Sequence, residues 1–584
     1  MSGLSAALAA AVDECFAAFA EGDGTPPSPG VAWGVMLGGE LVHAGGLGTL
    51  RAGEEAVPGP DCAFRIASMT KSFLAAAVLL LRDEGRLELD DPIARHVPEL
   101  CELRGPSADA PAISVRSLLS MGSGLPTDDP WADRLEDLSE AAFGELLSGP
   151  ATVAWPAGVA FEYSNYGYAM LGRLVSNASG CDFHELIAER ILAPLGLSST
   201  CFCSDALDRA TLAAGHHRVD DGWVVQPEQR PGAFSAIGGL YSSVRDVATW
   251  MAGFCDAWPP RDDHDAAHPL SRATRREMQQ VATTIPPALE RDAAGRLRVV
   301  SGGYCFGLVS QEDVTSGRAI SHSGGYPGFG SHMRFHPATG IGIVALANGR
   351  YAPVWKPARD ALERLVTRGA ARRRQATEPA RELTTALNDV ERLLDSWDDS
   401  IAGRFALNVE LDDPLERRRT EFDVLRKRHG RLRCSGELEC ETPLRGRSWL
   451  AGERGGRVRA TIALTPETPP RLQTIELESV ADPSPAVSAA AASLLAAICS
   501  GGGLPPGLAC ARESKSSIAA TIREAAAHLA PCKLVCAVRG DGGEQATFLA
   551  EAPASAFELT IALDASSRLR RVTIEPVERP AVLR

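Results

Sequence analysis

The stretch Ala63–Gly85, AFRIASMTKSFLAAAVLLLRDEG, changes character partway along. Ala63 to Ile66 is a short apolar run of strand type, whereas LAAAVLLLRDEG has helical composition and stops at Gly85. Ser68-Met69-Thr70-Lys71 lies at the change, which puts Ser68 at or near a helix N-terminus and Lys71 one turn further on, alongside the hydroxyl. A serine hydroxyl is a poor nucleophile until a neighbouring base takes its proton, and a lysine whose pKa is lowered by desolvation can be that base.

Serine three before lysine arises easily by chance, so lysine usage carries the weight. Of the 59 basic side chains only Lys71, Lys356, Lys427, Lys515 and Lys533 are lysines, and Lys71 is the single lysine in the first 355 residues. Arginine supplies positive charge everywhere else. Arginine cannot lose its proton in a protein, so a lysine kept at this one place marks a need for a titratable amine.

Outward toward the N-terminus, GVAWGVMLGGELVHAGG from Gly30 reads as a β-hairpin about Gly38-Gly39. Toward the C-terminus, Tyr304 to Gln311, Arg318 to Ser323, Ser331 to His336 and Ile341 to Ala347 read as strands, and Ala352 to Arg368 as a closing helix. A sheet built from the two ends of a region, capped by its helical middle, predicts one domain over 1–368. Residues 369–384 are charged and aperiodic and read as a linker. Beyond them Thr461–Leu464 and Gln473–Val480 have counterparts in Thr560–Leu563 and Arg570–Val577, offset by 99 and 97 residues. Two tandem α+β repeats are expected, over 385–480 and 488–584.

Bulk properties narrow the function. At 584 residues the chain exceeds the roughly 250 to 300 residues of a single core. With 45% apolar and 23% charged residues it is of ordinary globular composition, and its net charge of −15 disfavours nucleic acid and anionic membranes as partners. Met1 to Gly22 lacks a basic n-region and reads as an amphipathic helix rather than a signal, and no long uncharged apolar run follows. Fourteen scattered cysteines fit reduced thiols, so a cytoplasmic location is expected. Neither Cys201-Phe-Cys203 nor Cys532–Cys536 has zinc-site spacing, and no metal is expected.

Two further constellations matter. Pro156-Ala157-Gly158 precedes Tyr163-Ser164-Asn165-Tyr166-Gly167. A tyrosine beside an ammonium can have its pKa lowered and act as general base, and an asparagine amide can orient the lysine; alternatively Asn165 is a helix cap and the aromatics are core. His322-Ser323-Gly324-Gly325 ends a predicted strand, where small residues let a substrate backbone approach and a main-chain N–H joins that of Ser68 in an oxyanion hole. His322 can also donate a hydrogen bond to substrate or to Tyr163; taken singly, His-Ser-Gly reads alternatively as a surface turn.

Ser-x-x-Lys, Tyr-x-Asn and His-x-Gly in this order resemble the serine β-lactamase and DD-peptidase superfamily, in its class C-like branch. ISVRSLLSMGSGLP (Ile113–Pro126), FEYSNYGYAMLG (Phe161–Gly172), LAPLGL (Leu192–Leu197) and GGLYSSVRDVATW (Gly238–Trp250) also look like landmarks of that family. The resemblance covers about residues 10 to 367. It implies an α/β (α+β) β-lactamase-like sandwich, an antiparallel sheet flanked by helices with a helical subdomain, and a two-step acyl transfer without a cofactor. In it Ser68 attacks, the Ser68 and Gly325 amides hold the oxyanion, and Tyr163 with Lys71 shuttles protons, while Asn165 orients the lysine and holds a substrate carbonyl. Many members carry Lys-Thr-Gly as the third motif, where the cation helps bind a carboxylate; here the position is His322, mostly neutral at pH 7 with an ordinary pKa of about 6.5. Gly324 lines the substrate path, and Arg334 on the next strand either supplies the missing charge or is an exposed strand cation. An esterase or D-amino-acid peptidase or amidase acting on a small molecule or short peptide is the leading expectation. A DD-carboxypeptidase or β-lactamase, and a non-catalytic binding protein on the same fold, are the alternatives. No GxSxG element supports an α/β-hydrolase. The repeats show no chemistry; self-association into a homo-oligomer and roofing the cleft are the roles left open for them.

Overall fold

The computed structural model describes residues 4–22, 24–263, 265, 268–291, 297–313, 317–367, 370, 378–435, 438–501, 503–505, 508–511, 514–529, 531–540, 542–552 and 556–576. The chain divides into two compact units, with the boundary just after Val366.

The first unit is an antiparallel sheet flanked by helices. Strands β1 (Gly30–Leu37) and β2 (Glu40–Gly48) form the opening hairpin, β3 (Ala63–Arg65) pairs with β6 (Tyr241–Ser243), and β4 (His216–Val219) pairs with β5 (Gly222–Val225). Strands β7 (Thr283–Arg291), β8 (Leu297–Tyr304), β9 (Val309–Asp313), β10 (Gly317–Tyr326), β11 (Phe329–His336) and β12 (Ile341–Ala347) complete the main sheet in the order β2-β1-β12-β11-β10-β9-β8-β7. β11 and β12 are buried at every residue, because both faces of the sheet are covered. On one face Phe16 of helix Ala6–Glu21 stacks on Trp33 at 4.7 Å; on the other Phe254 of helix Val244–Asp256 stacks on Phe335 at 5.8 Å. The closing helix, Trp355–Thr367, buries Ala358, Ala361, Leu362, Leu365 and Val366, a stripe of helical period.

Helix Thr70–Asp83 is buried at every residue from Thr70 to Leu81, which explains why its sequence is apolar all round. A 3-10 turn, Ala67–Met69, leads into it, and Ala67 sits at φ 48, a left-handed conformation that costs an alanine about 1 kcal/mol or more.

Three sequence expectations need correction. The predicted strand Tyr304–Gln311 is the end of β8, a turn closed by Cys305 N–H to Leu308 O at 2.8 Å, and the start of β9. Gly307, at φ 68, makes that turn; a Cβ there would lie 2.6 Å from the Lys71 carbonyl, so the chain doubles back against the Lys71 helix. β10 continues to Tyr326, so His322-Ser323-Gly324 lies within a strand rather than at its end. Residues 369 and 371–377 of the expected linker fall outside the described residues, and its last residues begin a helix, Arg381–Asp395.

The second unit holds helix Leu415–His429 with β13 (Leu432–Cys434), β14 (Glu439–Thr442), β15 (Arg445–Gly452), β16 (Arg457–Leu464) and β17 (Leu472–Val480). Helices Pro485–Cys499 and Lys515–Leu529 follow, then β18 (Lys533–Gly540), β19 (Gln545–Glu551), β20 (Ala556–Leu563) and β21 (Leu569–Pro576), a four-stranded meander. Among the described residues no helix is long and apolar enough to cross a membrane.

Candidate active site

From Cys62 to Leu81 every residue is buried except Ser68. The strained Ala67 turns the chain so that this one hydroxyl faces a cleft of about 820 Å³, lined also by Asp129, Tyr163, His322, Gly325 and Arg334.

Lys71, fully buried, has its Nζ 2.9 Å from Ser68 Oγ, 2.7 Å from Asn165 Oδ1 and 2.7 Å from the Ile237 carbonyl. A neutral amine has two N–H bonds and one lone pair. In that form Asn165 Oδ1 and Ile237 O accept both N–H bonds, which leaves the lone pair for the Ser68 O–H; in the ammonium form the third N–H donates to Ser68 Oγ instead. Burial pulls the Lys71 pKa down to about 8, against the opposing pull of Asp129, Asp133 and Asp128.

The capping alternative for Asn165 is resolved by its neighbour. Ser164 is the N-cap of helix Asn165–Ser179, its Oγ accepting from Gly167 N–H at 3.3 Å, which frees the Asn165 amide. That amide donates through Nδ2 to Asp128 Oδ1 at 3.0 Å and Asp129 Oδ1 at 2.6 Å, so its oxygen must face Lys71.

Tyr163 is half-buried, its hydroxyl in hydrogen-bonding contact with Ser68 and its ring centroid 5.1 Å from Lys71 Nζ. Burial raises its pKa well above the ordinary value, opposite to the lowering that a lysine neighbour suggested from sequence. Tyr163 is therefore neutral here, and Lys71 is the group whose titration lies near neutral pH.

His322 Nδ1 lies 2.6 Å from the Ser323 carbonyl, which can only accept, so Nδ1 carries the proton. Nε2 then accepts from the Tyr304 hydroxyl at 3.0 Å. Burial, with the Lys71 charge adding to it, pulls the His322 pKa down to about 3. The ring is neutral and both nitrogens are engaged, so it reaches Tyr163 through packing, with centroids 6.5 Å apart, rather than through the direct hydrogen bond expected.

β10 pairs with β9 only from Gly317 to Ser321. Among the described residues, its edge from His322 to Tyr326 on that side has no strand beside it, which leaves backbone groups for an extended ligand. Gly324 is required for the close approach of this strand to the nucleophile: a Cβ there would collide with Ser331 Oγ and the Ile66 carbonyl. Gly325 is bounded by Tyr351, whose hydroxyl donates to Asp133 Oδ2 at 2.6 Å. Arg334 is 5% exposed, not the exposed cation considered from sequence, because β11 is an inner strand; its Nη1 donates to Gln311 Oε1 at 2.6 Å.

Sequence reasoning missed Asp128, Asp129, Asp133, Tyr304 and the Ile237 carbonyl. It also missed how Ile237 is held. His184 Nδ1–H donates to Asp182 Oδ1 at 2.5 Å, and Nε2 meets Ser235 Oγ at 2.6 Å. This has the order of a catalytic serine–histidine–aspartate chain, but Ser235 is fully buried and no ligand can reach it. It anchors the turn Ser235–Ile237, whose last carbonyl receives Lys71. Arg65, paired with buried Glu136, donates from Nε to the Gly238 carbonyl at 3.3 Å and braces the next residue.

The Beta-lactamase family model matches residues 12–368. Protein flp of Staphylococcus aureus strain MW2 is 26% identical over 339 residues, 56% of this chain and 61% of that one. Beta-lactamase-like protein 2 of Dictyostelium discoideum is 33% identical over 197 residues, 33% of this chain and 35% of that protein. The chain thus spans less than two thirds of the length of these relatives. Among solved structures, the octameric penicillin-binding protein homologue from Pyrococcus abyssi is similar in fold, with TM-score 0.50 and 17% identity over 97% of this chain and 99% of that one.

Proposed function

The chain belongs to the beta-lactamase family, and from that premise we propose that it is a serine hydrolase that opens an ester or amide through an acyl-Ser68 intermediate. The observation that carries this is the Lys71 arrangement: a buried amine held by Asn165 Oδ1 and the Ile237 carbonyl, with its third position directed at the hydroxyl of Ser68, the one residue of its stretch that is not buried. A binding protein has no use for such an amine, since burying it is costly.

In this reading Ser68 attacks the substrate carbonyl as Lys71 takes the Ser68 proton. The developing oxyanion is held by the main-chain N–H groups of Ser68 and Gly325. Lys71 returns the proton by way of the neutral Tyr163 hydroxyl to the leaving group, and water then releases the acyl chain by the same route in reverse. Asn165 fixes the amine; neutral His322, bonded to Tyr304, fills the place beside Tyr163. The substrate lies along the open edge of β10 past Gly324, with Arg334 in the wall beyond. Neutral His322 supports an ester, a D-amino-acid amide or a short peptide over a substrate that needs a cation at that place. The octameric Pyrococcus protein supports self-assembly here too.

The test is intact-mass spectrometry of the wild type and Ser68→Ala after exposure to a fluorophosphonate, a short-chain p-nitrophenyl ester and a penicillin. A covalent gain in the wild type that the variant lacks is expected, and the reagent that gives it ranks esterase against penicillin-binding activity. Folded wild-type protein that takes up none of the three sinks the proposal in favour of a ligand-binding role.

The two α+β repeats are likewise our proposal. They are supported by a shared irregularity: the strand register slips between Ala463 and Leu464 in β16 and again, 99 residues on, between Ala562 and Leu563 in β20.

A further inference from the structure

We infer that Cys499 and Cys532 form a reversible disulfide that staples helix Pro485–Cys499 to the edge strand β18. Cys499 is the last residue of that helix and Cys532 immediately precedes β18. Their Sγ atoms lie 3.5 Å apart. The Cys499 sulfur is also seated on the backbone of Cys532, accepting from its N–H at 3.3 Å and donating to its carbonyl at 3.2 Å. A sulfur so placed has its partner's main chain already within reach, so closing to a bond of about 2.05 Å asks for side-chain rotation rather than movement of the strand. Cys201 and Cys203 show the contrast: they are two residues apart, yet Cys201 Sγ donates to the Cys203 carbonyl at 3.1 Å rather than meeting its sulfur.

The two thiols have different parts. Cys499 is exposed and open to an external oxidant, whereas Cys532 is half-buried, its thiol pushed up to about 12 by burial and by Cys499 beside it. With a low-molecular-weight disulfide such as oxidised glutathione, the Cys499 thiolate attacks one sulfur and expels a glutathione thiolate. Cys532 then gives up its proton and attacks the Cys499 sulfur of the mixed disulfide, expelling the second glutathione. Two protein thiols are oxidised and one glutathione disulfide is reduced to two thiols, so atoms and electrons balance.

The bond has a physical purpose at this place. β18 is an edge strand, paired with β19, and edge strands fray first. Helix Pro485–Cys499 is anchored in the core through Val487, Ala491, Leu494 and Ile498. Joining its end to the start of β18 closes a loop of chain that contains helix Lys515–Leu529 and removes freedom from the opened state.

The experiment uses the full chain, treated with oxidised glutathione or with a reductant and compared with Cys499→Ser, a change at an exposed sulfur that leaves the core intact. Peptide mapping of the oxidised wild type is expected to show a Cys499–Cys532 cross-link, with each linked pair about 2 Da lighter than its two thiols. Oxidation should also slow amide exchange in β18 about fivefold or more in the wild type and leave it unchanged in Cys499→Ser. Glutathione left as a stable adduct on Cys499, with no cross-linked peptide, would overturn the pair. A cross-link that leaves exchange in β18 unaltered overturns the staple.

Discussion

Both units are built alike, from antiparallel sheets backed by helices, yet they bury very different things. The first unit encloses Lys71, the Arg65–Glu136 pair, Asp133, Arg275, His322 and His332, whereas the buried polar side chains of the second, among the described residues, are His429, Ser448 and Thr547. Burying a charge costs several kcal/mol unless it is paired, so polar groups persist in an interior only where something is gained from them. The difference teaches that architecture does not decide where chemistry resides. What decides it is which unit tolerates titratable groups out of water, and here that is the unit holding Ser68.

The sharpest way to break the comparison is to remove the buried amine. Lys71→Met keeps the length of the side chain but leaves the Asn165 Oδ1 and Ile237 acceptors unmatched; in protein shown to be folded by circular dichroism it is expected to lower fluorophosphonate labelling of Ser68 by roughly 10³-fold or more. Labelling at the wild-type rate would hand the base role to Tyr163. Next in size, Arg65→Leu leaves Glu136 buried without its cation and should destabilise the first unit by about 3–5 kcal/mol in urea unfolding, while Arg65→Leu with Glu136→Leu together should restore most of that loss. In the second unit the corresponding damage comes from a purely apolar change. Leu559→Ala, at a fully buried position of β20, should cost about 2–5 kcal/mol there and leave Ser68 labelling unchanged; a parallel fall in labelling would mean the units are not chemically separate. Gly324→Ala pushes β10 from the Ser68 turn and should slow acylation by about 10²-fold without global unfolding, as read by circular dichroism and labelling kinetics.

The smallest effects are those of pH. With Lys71 lowered to about 8 and, in the proposed mechanism, acting as a neutral amine, acylation should climb with pH up to about 9, with only about one molecule in ten competent at pH 7. Stability runs in the same direction at lower pH. His322 ionises near 6.5 when unfolded but only at about 3 when folded, so the unfolded chain binds more protons between those values and stability falls as pH drops from about 6.5 toward 3. His216, His268 and His332, also lowered by burial, add to the same slope in the first unit. An acid transition confined to the second unit would contradict this.

Much of the frame was legible without coordinates. The opening hairpin, the strands around His322 and Ile341, and the helix after Ser68 follow from periodicities of two and 3.6 that each side chain carries locally. The break at Cys305–Leu308 was not, because apolar residues continue across it and only packing against Lys71 makes the turn necessary. The expected exposed cation Arg334 proved buried for a related reason: sheet order, which covers β11 on both sides, joins strands distant in sequence.

Sequence alone determined that a serine and the chain's one early lysine are brought together, since the helical composition that follows Ser68 makes residues three apart neighbours. Tertiary structure decided the charge on the lysine, the orientation of the Asn165 amide through Asp128 and Asp129, the tautomer of His322, and the part played by a carbonyl, Ile237, that no residue type announces. Spacing is a property of the chain. Desolvation and hydrogen-bond geometry depend on what is packed alongside from elsewhere, so the pKa of Lys71 exists only once the fold has closed around it.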